Sequence, residues 1–406
     1  MGPARGGRAG RVWRGRTGPV AEQLRSVHAI TSSEVTTERM ATVREPGCGA
    51  RRVTAVLVAI GSALLAPCSA GPAVAATGPR PGALAPGSPE CTANKAAGTV
   101  HFASPFGYDA SAGIIDVYAA ERLGYFADLC LRVEFIDVPT SASPYALVSA
   151  DAAQITGEGS AADAIVEEAD GSNFVGISTY GDTSDYALLT RAGITKLTQL
   201  EGKVLAYHTV LPVVLREMLV KAGANVSKVR LVQDPTYDPL LLVHGSFDAL
   251  EAYQSNEPIT LRADHEPFTM WTPAQFGISS TFNVQVANRK FLASHRGAVA
   301  DFLRAEFRAF GYCTAHAATC VGYLAEAQGP TFNLAHGEAE WRVESALALD
   351  HHLAGRGIGV ETVAEWAPEA AAVLRYKLVR KPVDLAGAED TSLAGSLYRG
   401  TRLVWP

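Results

Sequence analysis

Short β-branched and aliphatic runs alternate along this chain with helical stretches of about ten residues, and that alternation restricts the fold more than any other feature. The first series holds Val100–Ala103, Leu131–Val138, Ala153–Thr156, Phe174–Thr179 and Tyr186–Thr190, with helical text at Gly113–Leu123 and Ser160–Glu168. Gly202-Lys203 opens a second series: Val204–Tyr207, a helix over Val213–Ala222, then Lys228–Val232 and Ala249–Tyr253. Strands separated by helices build βαβ units, so two α/β lobes with parallel sheets are expected. Ser280–Ala287 follows, and the text from Phe291 onward is helical, with Trp341, Leu347 and Leu349 at apolar positions. The expected division is lobe 1 over 99–192 and 284–381, lobe 2 over 193–283, and a C-terminal tail over 382–406. A two-segment hinge would cross near Arg191–Ile194 and return near Ser279–Val284.

The N-terminal part reads differently. Residues 1–52 contain ten Arg, no Lys and four Glu, so against a total charge of −6 the rest of the chain carries −12. An acidic body excludes nucleic acid as the partner, because phosphate binding needs a concentrated basic face. Arg51-Arg52 precedes the apolar run Val53–Ala66, fourteen residues that as a helix reach only about 21 Å, short of a membrane crossing. A basic flank, a short apolar core and small residues read as an export leader over 1–76, and Met40 would begin a more ordinary one. Leu65-Ala66-Pro67-Cys68 is similar to a lipoprotein box with Cys68 as the lipidated residue, although Pro67 stands where a small residue is wanted; Ala73-Val74-Ala75 offers ordinary cleavage instead. Residues 77–98, rich in Pro and Gly at first, are expected to be a flexible tether. The mature protein would then sit at the cell surface or in the periplasm, its only membrane contact a lipid anchor.

An oxidising destination suits Cys91, Cys130, Cys313 and Cys320, an even set that suggests disulfides. Cys313 and Cys320 are seven apart, about 10 Å on a continuous helix, so their pairing would need a break near Ala315-His316-Ala317. Buried free thiols are the alternative. No CxxC or HxxxH spacing accompanies these cysteines, and the side chains of His351-His352 diverge on a helix, so no metal site is expected.

In open parallel sheets ligands sit beyond the carboxyl ends of the strands, which directs attention to the loops that follow them. After the first strand, Phe106 and Tyr108 offer two aromatic faces, with Tyr108 expected to stack, and Asp109 a carboxylate; the alternative is a surface turn with Phe106 packed inward. After the third, Gly159 and Ser160 open a helix whose free N–H groups suit a polar or anionic group, though Ser160 as a simple N-cap explains the same text. Tyr180 follows the fourth strand, and His208 with Thr209 follows the first strand of the second series. Tyr253-Gln254-Ser255-Asn256-Glu257-Pro258 brings a ring, two amides, a hydroxyl and a carboxylate to one strand end. Tyr253 would stack on a planar ring while Asn256 and Glu257 bond its polar edge, as for an aminopyrimidine; a capping Asn and a first-turn Glu are the alternative. No GxSxG, HExxH, GxxxxGK[ST] or GxGxxG occurs, and neither catalysis nor a cofactor is expected.

Several runs carry a resemblance: Ala119-Ala120-Glu121-Arg122-Leu123-Gly124-Tyr125-Phe126, Leu131-Arg132-Val133-Glu134, Leu200-Glu201-Gly202-Lys203, Ser255-Asn256-Glu257-Pro258 and Asn288-Arg289-Lys290-Phe291-Leu292. Over roughly Thr99 to Lys381 the chain resembles the bacterial solute-binding family for thiamine pyrimidine precursors, which also holds alkanesulfonate, taurine, nitrate and riboflavin-related binders. The resemblance implies a type II periplasmic-binding fold, two α/β lobes closing on a small molecule. It also implies a monomeric receptor for an ABC permease and its ATPase. A eukaryotic pyrimidine synthase shares the superfamily, but its cysteine-rich motif has no counterpart here.

Overall fold

The computed structural model describes residues 80–139, 142–350 and 355–406. The leader with Cys68, the first residues of the tether and the His351-His352 pair lie outside the described residues.

Ten strands form two sheets: β1 (Thr99–Ser104), β2 (Arg132–Asp137), β3 (Ile155–Glu158), β4 (Phe174–Gly181), β5 (Tyr186–Arg191), β6 (Val204–Tyr207), β7 (Arg230–Gln233), β8 (Ala249–Tyr253), β9 (Phe268–Trp271) and β10 (Phe282–Asn288). The first sheet has the order β2-β1-β3-β10-β4, the second β7-β6-β8-β5-β9. In each, four strands share one direction and a single returning strand is antiparallel to both its neighbours, β10 in the first and β5 in the second. All eight residues of β4 and all seven of β10 are buried, which explains why both read as continuous runs rather than alternating ones.

Helices cover both sheets: α1 (Pro89–Ala96), α2 (Ile115–Arg122), α3 (Ala161–Ala169), α4 (Val213–Lys221), α5 (Glu257–Ala263), α6 (Arg289–Ala315), α7 (Ala317–Gln328), α8 (Leu334–Asp350) and α9 (Val363–Arg375). Helix α6 starts where the Asn288 side chain accepts from the Phe291 N–H at 3.0 Å, and it buries Phe302, Phe307 and Phe310 in the core of the first lobe. Helix α9 packs against both α3 and α4, and Arg375 pairs with Glu217 at 3.0 Å, so one C-terminal helix touches both lobes.

The helical break lies at His316 (φ −135°, ψ 46°), between α6 and α7; there Cys313 and Cys320 come to a Cα separation of 5.6 Å and form a disulfide. Cys91 and Cys130 form a second, across 39 residues.

Three boundaries differ from the expected ones. Tyr186–Arg191 belongs to the second sheet, because it pairs antiparallel with β8 and β9; the first crossing therefore lies at 182–185, not Arg191–Ile194. Residues 89–98 are not tether. Ser88 caps α1, whose Pro89 supplies a helix-ready φ, and Asn94 donates to Asp301 at 2.7 Å and to the Leu129 carbonyl at 2.8 Å. Residues 382–406 are not a separate tail, because Leu393, Ala394 and Leu397 are buried in the first lobe's core and the Asp390 N–H donates to the Gly176 carbonyl at 2.8 Å.

Candidate functional site

A cavity opens between the two sheets, bounded by the loop after β1, the ends of β3 and β8, the β4–β5 crossing, the start of β10 and helix α8. Its volume is about 80 Å³, against the roughly 10–15 Å³ that a single water needs. A compact ligand of several heavy atoms fits that space.

Its apolar side is aromatic. The rings of Tyr186 and Tyr253 stack with centroids 5.0 Å apart, and Phe106 meets Tyr253 edge-on at 5.9 Å. Tyr186 donates to Asp163 at 3.1 Å, which fixes its ring. Gly159 lies below that hydroxyl; a Cβ there would stand 2.7 Å from it, so only glycine leaves the tyrosine room. Tyr237 closes another wall and stacks on His208 at 3.8 Å. On the backbone side, Asn283 Nδ2 donates to the Ala112 carbonyl at 2.6 Å, and Gly113 has φ +79°. Any Cβ on Gly113 would lie 2.3 Å from that amide, so glycine is required twice over.

The polar side is made of carboxyl groups. Asp109, Asp185, Glu340 and Glu344 all line the cavity, and among the described residues no Lys, Arg or His does. Glu340 and Glu344 stand one turn apart on α8, so both project from one face. Glu344 accepts from the Ser111 hydroxyl at 2.7 Å and from the Ala112 N–H. Ser255 Oγ lies 2.6 Å from Asp185 Oδ2 and 2.9 Å from Glu344 Oε1, joining the hinge crossing, the second lobe and α8 at one atom. Burial raises all four carboxyl groups, Glu344 to about 8, and mutual repulsion adds to the rise for Asp185 and Glu340.

Of the residues singled out in the sequence, Asp109, Gly159, Tyr253 and Asn256 line this cavity. Tyr108 does not. Its ring packs against Phe135 at 5.0 Å and Tyr118 at 5.2 Å, so of the two aromatic faces expected from this loop only Phe106 reaches the cavity; Gly107 (φ 63°) stands in the turn between them. Tyr180 is 1% exposed, and its hydroxyl lies within hydrogen-bond distance of both Asp116 and Glu306 in the core, with one proton to donate to one of them. Ser160 is an N-cap: its Oγ accepts from the Asp163 N–H and donates to Asp163 Oδ2 at 2.8 Å. Glu257, 1% exposed, lies behind the cavity, where Oε2 accepts from the Tyr253 N–H at 2.8 Å and Oε1 stands 3.6 Å from His208 Nε2. His208 is buried beside it, and although burial alone would lower its pKa, the carboxylates of Glu257 and Glu251 raise it. Thr209 is exposed and outside the lining. The Asn256 side chain makes no capping bond; its Oδ1 lies 2.9 Å from His336 Nε2.

Sequence reasoning missed Tyr186, Asp185, Ser255's double contact and the α8 pair. A signal existed for the last: like charges at i and i+4 destabilise an exposed helix, so Glu340 and Glu344 beside the buried Trp341 suggested an inward-facing role.

A family model described as NMT1/THI5 like matches residues 111–319, just over half of the 406 residues, and covers most of the strands and helices that frame the cavity. The chain belongs to the NMT1/THI5-like family. No curated protein matches it. Among solved structures, it is similar to the alkanesulfonate-binding protein SsuA from Xanthomonas axonopodis pv. citri bound to MOPS, at 13% identity over 72% of this chain and 98% of that one, TM-score 0.54. A zinc-bound ligand-binding component of an ABC-type import system from Staphylococcus aureus gives 10% identity over 73% and 97%, TM-score 0.57. A mutant of the enzyme DszB with biphenyl-2-sulfinic acid gives 12% over 73% and 98%, TM-score 0.51. At such identities the likeness establishes the fold: the periplasmic-binding architecture of two α/β lobes around a cleft. Among the described residues, no helix is long and apolar enough to cross a membrane.

Proposed function

We propose that this NMT1/THI5-like chain is an extracytoplasmic receptor of an ABC importer, a monomer that closes its two lobes on a small planar N-heterocycle and hands it to a permease. The single observation that carries the reading is the composition of the cleft: a stacked tyrosine pair with Phe106 at its edge, facing carboxyl acceptors and no cationic side chain. Flat rings stack on such faces, and ring N–H or amino groups supply the donors the carboxyl oxygens need. Export rests on the Arg51–Ala66 leader, with lipidation at Cys68 or cleavage after Ala75 as its two outcomes.

A sulfonate or nitrate ligand is the second reading, favoured by the SsuA likeness. The lining opposes it, since an anion among four buried carboxyl groups would gain no opposite charge in return for its desolvation. Turnover is a third reading, raised by the DszB likeness; the cavity hydroxyls of Ser111 and Ser255 are engaged by carboxyl groups, which fits positioning of a ligand. Scanning fluorimetry against planar N-heterocycles, flavins, taurine, MOPS and nitrate tests the ligand class, because a ligand of the native state raises Tm by mass action. A heterocycle should give the largest shift and be recovered unchanged by mass spectrometry; a shift confined to the anions would defeat the reading, and a modified product would make the protein an enzyme.

A further inference from the structure

The cavity acids cannot all be ionised in the arrangement observed. Ser255 owns one hydroxyl proton yet lies within hydrogen-bond distance of two carboxyl oxygens, Asp185 Oδ2 at 2.6 Å and Glu344 Oε1 at 2.9 Å. It can donate to only one, so the other carboxyl must itself bring a proton to the Ser255 oxygen. One proton beyond the hydroxyl's own is therefore held between Asp185 and Glu344. Asp109 and Glu340 line the same cavity, and the charge of Asp109 adds to the burial that raises Glu340. Asp185 adds an independent sign of a ligand. It lines the cavity, it is 5% exposed, and its Oδ1 has no hydrogen-bond partner among the described residues.

We infer that the ligand is a small planar cation bearing at least two N–H donors, and that it enters in exchange for the one proton that Asp185 and Glu344 share through Ser255. This deepens the heterocycle reading above and rests on it. The exchange balances one positive charge against another: the carboxyl O–H of that pair gives its proton to water or buffer, and the carboxylate left behind accepts an N–H of the incoming cation. The aromatic faces of Tyr186, Tyr253 and Phe106 serve the same charge, because a cation over a ring gains from the ring's quadrupole. Other titratable groups around these acids are few. Glu257 and His336 act on Asp109, Glu257 also acts on Asp185, and Ser111 and the Ala112 N–H bond Glu344.

Two nearly isosteric probes separate charge from shape: 4-aminopyridine, a cation at neutral pH, and 4-aminopyrimidine, which is neutral there. Calorimetric titrations at pH 7 in phosphate and in Tris, buffers of different ionisation enthalpy, should show 4-aminopyridine binding at least about tenfold more tightly with protons released. Equal binding of both probes with no buffer-dependent heat overturns the cation inference and leaves the heterocycle reading standing. Binding of taurine, MOPS or nitrate alone overturns both. A measurement without any ligand decides the proton half. The free protein's Tm should fall as pH rises from about 5 to about 8, since Glu344 keeps its proton in the folded state up to about 8 and loses it when unfolded from about 4.5. In Glu344→Gln, which preserves shape, that fall should shrink; parallel Tm curves for the two proteins overturn the shared-proton arrangement.

Discussion

Two of the buried acid clusters among the described residues make a pair of opposites: one is sealed in the core of the first lobe and the other faces the cavity between the sheets. In the core of the first lobe, Asp116 and Glu306 share the single hydroxyl of Tyr180, Gln285 donates to Glu306 at 2.8 Å and to the Gly113 carbonyl at 3.0 Å, and the Gly113 N–H donates to Asp116 at 2.7 Å. In the cleft, Asp109, Asp185, Glu340 and Glu344 share fewer donors and border a cavity. Burial raises the acids of both clusters, Asp116 to about 7 and Glu344 to about 8. Perturbation of acidity therefore does not distinguish a binding site from a structural knot; access to space does. The core cluster ties α2, β4, β10 and α6 together, and the cleft cluster has room for a ligand to take the place of its shared proton.

Removing the shared donor of the core cluster should give the largest effect. Tyr180→Phe leaves Asp116 and Glu306 without their common hydroxyl, a loss of about 1–3 kcal/mol of stability by urea denaturation, while the ranking of ligands stays as in the parent. A change in ligand preference would show that the two clusters are not separate. Next comes the stacking face: Tyr253→Ala should weaken a planar ligand by about 1 kcal/mol beyond the lost area, read by calorimetry, with Phe106→Ala weakening it less. Phe106 is 45% exposed, so its removal should leave Tm nearly unchanged. Glu257→Gln should be the smallest, about 0.5 kcal/mol in affinity, because Gln still accepts from the Tyr253 N–H and the residue lies behind the ring. A loss above about 2 kcal/mol there would return Glu257 to the ligand's first contacts.

The contrast also marks how far the sequence could be read. Alternating strand and helix text located nearly every strand, and the seven-residue cysteine spacing located the helical break at His316, because both follow from local geometry. Strand β5 reads like its predecessor, but its sheet is chosen by β8 and β9, residues far along the chain. Tyr108 and Phe106 are chemically alike in the text; the Phe135 and Tyr118 rings decide which turns inward. Helix α8 is about eighty residues beyond the Ser255 run, so its acids became site residues only through the packing of the two lobes. Local pattern gave strand ends; tertiary contact selected among them.

A crystal structure grown with 4-aminopyridine would test the central claim most directly. The account places the ring against Tyr186 and Tyr253, with an N–H within hydrogen-bond distance of Asp185 Oδ1. A cleft that instead held a sulfonate or nitrate, with the aminopyridine excluded from it, would contradict the account.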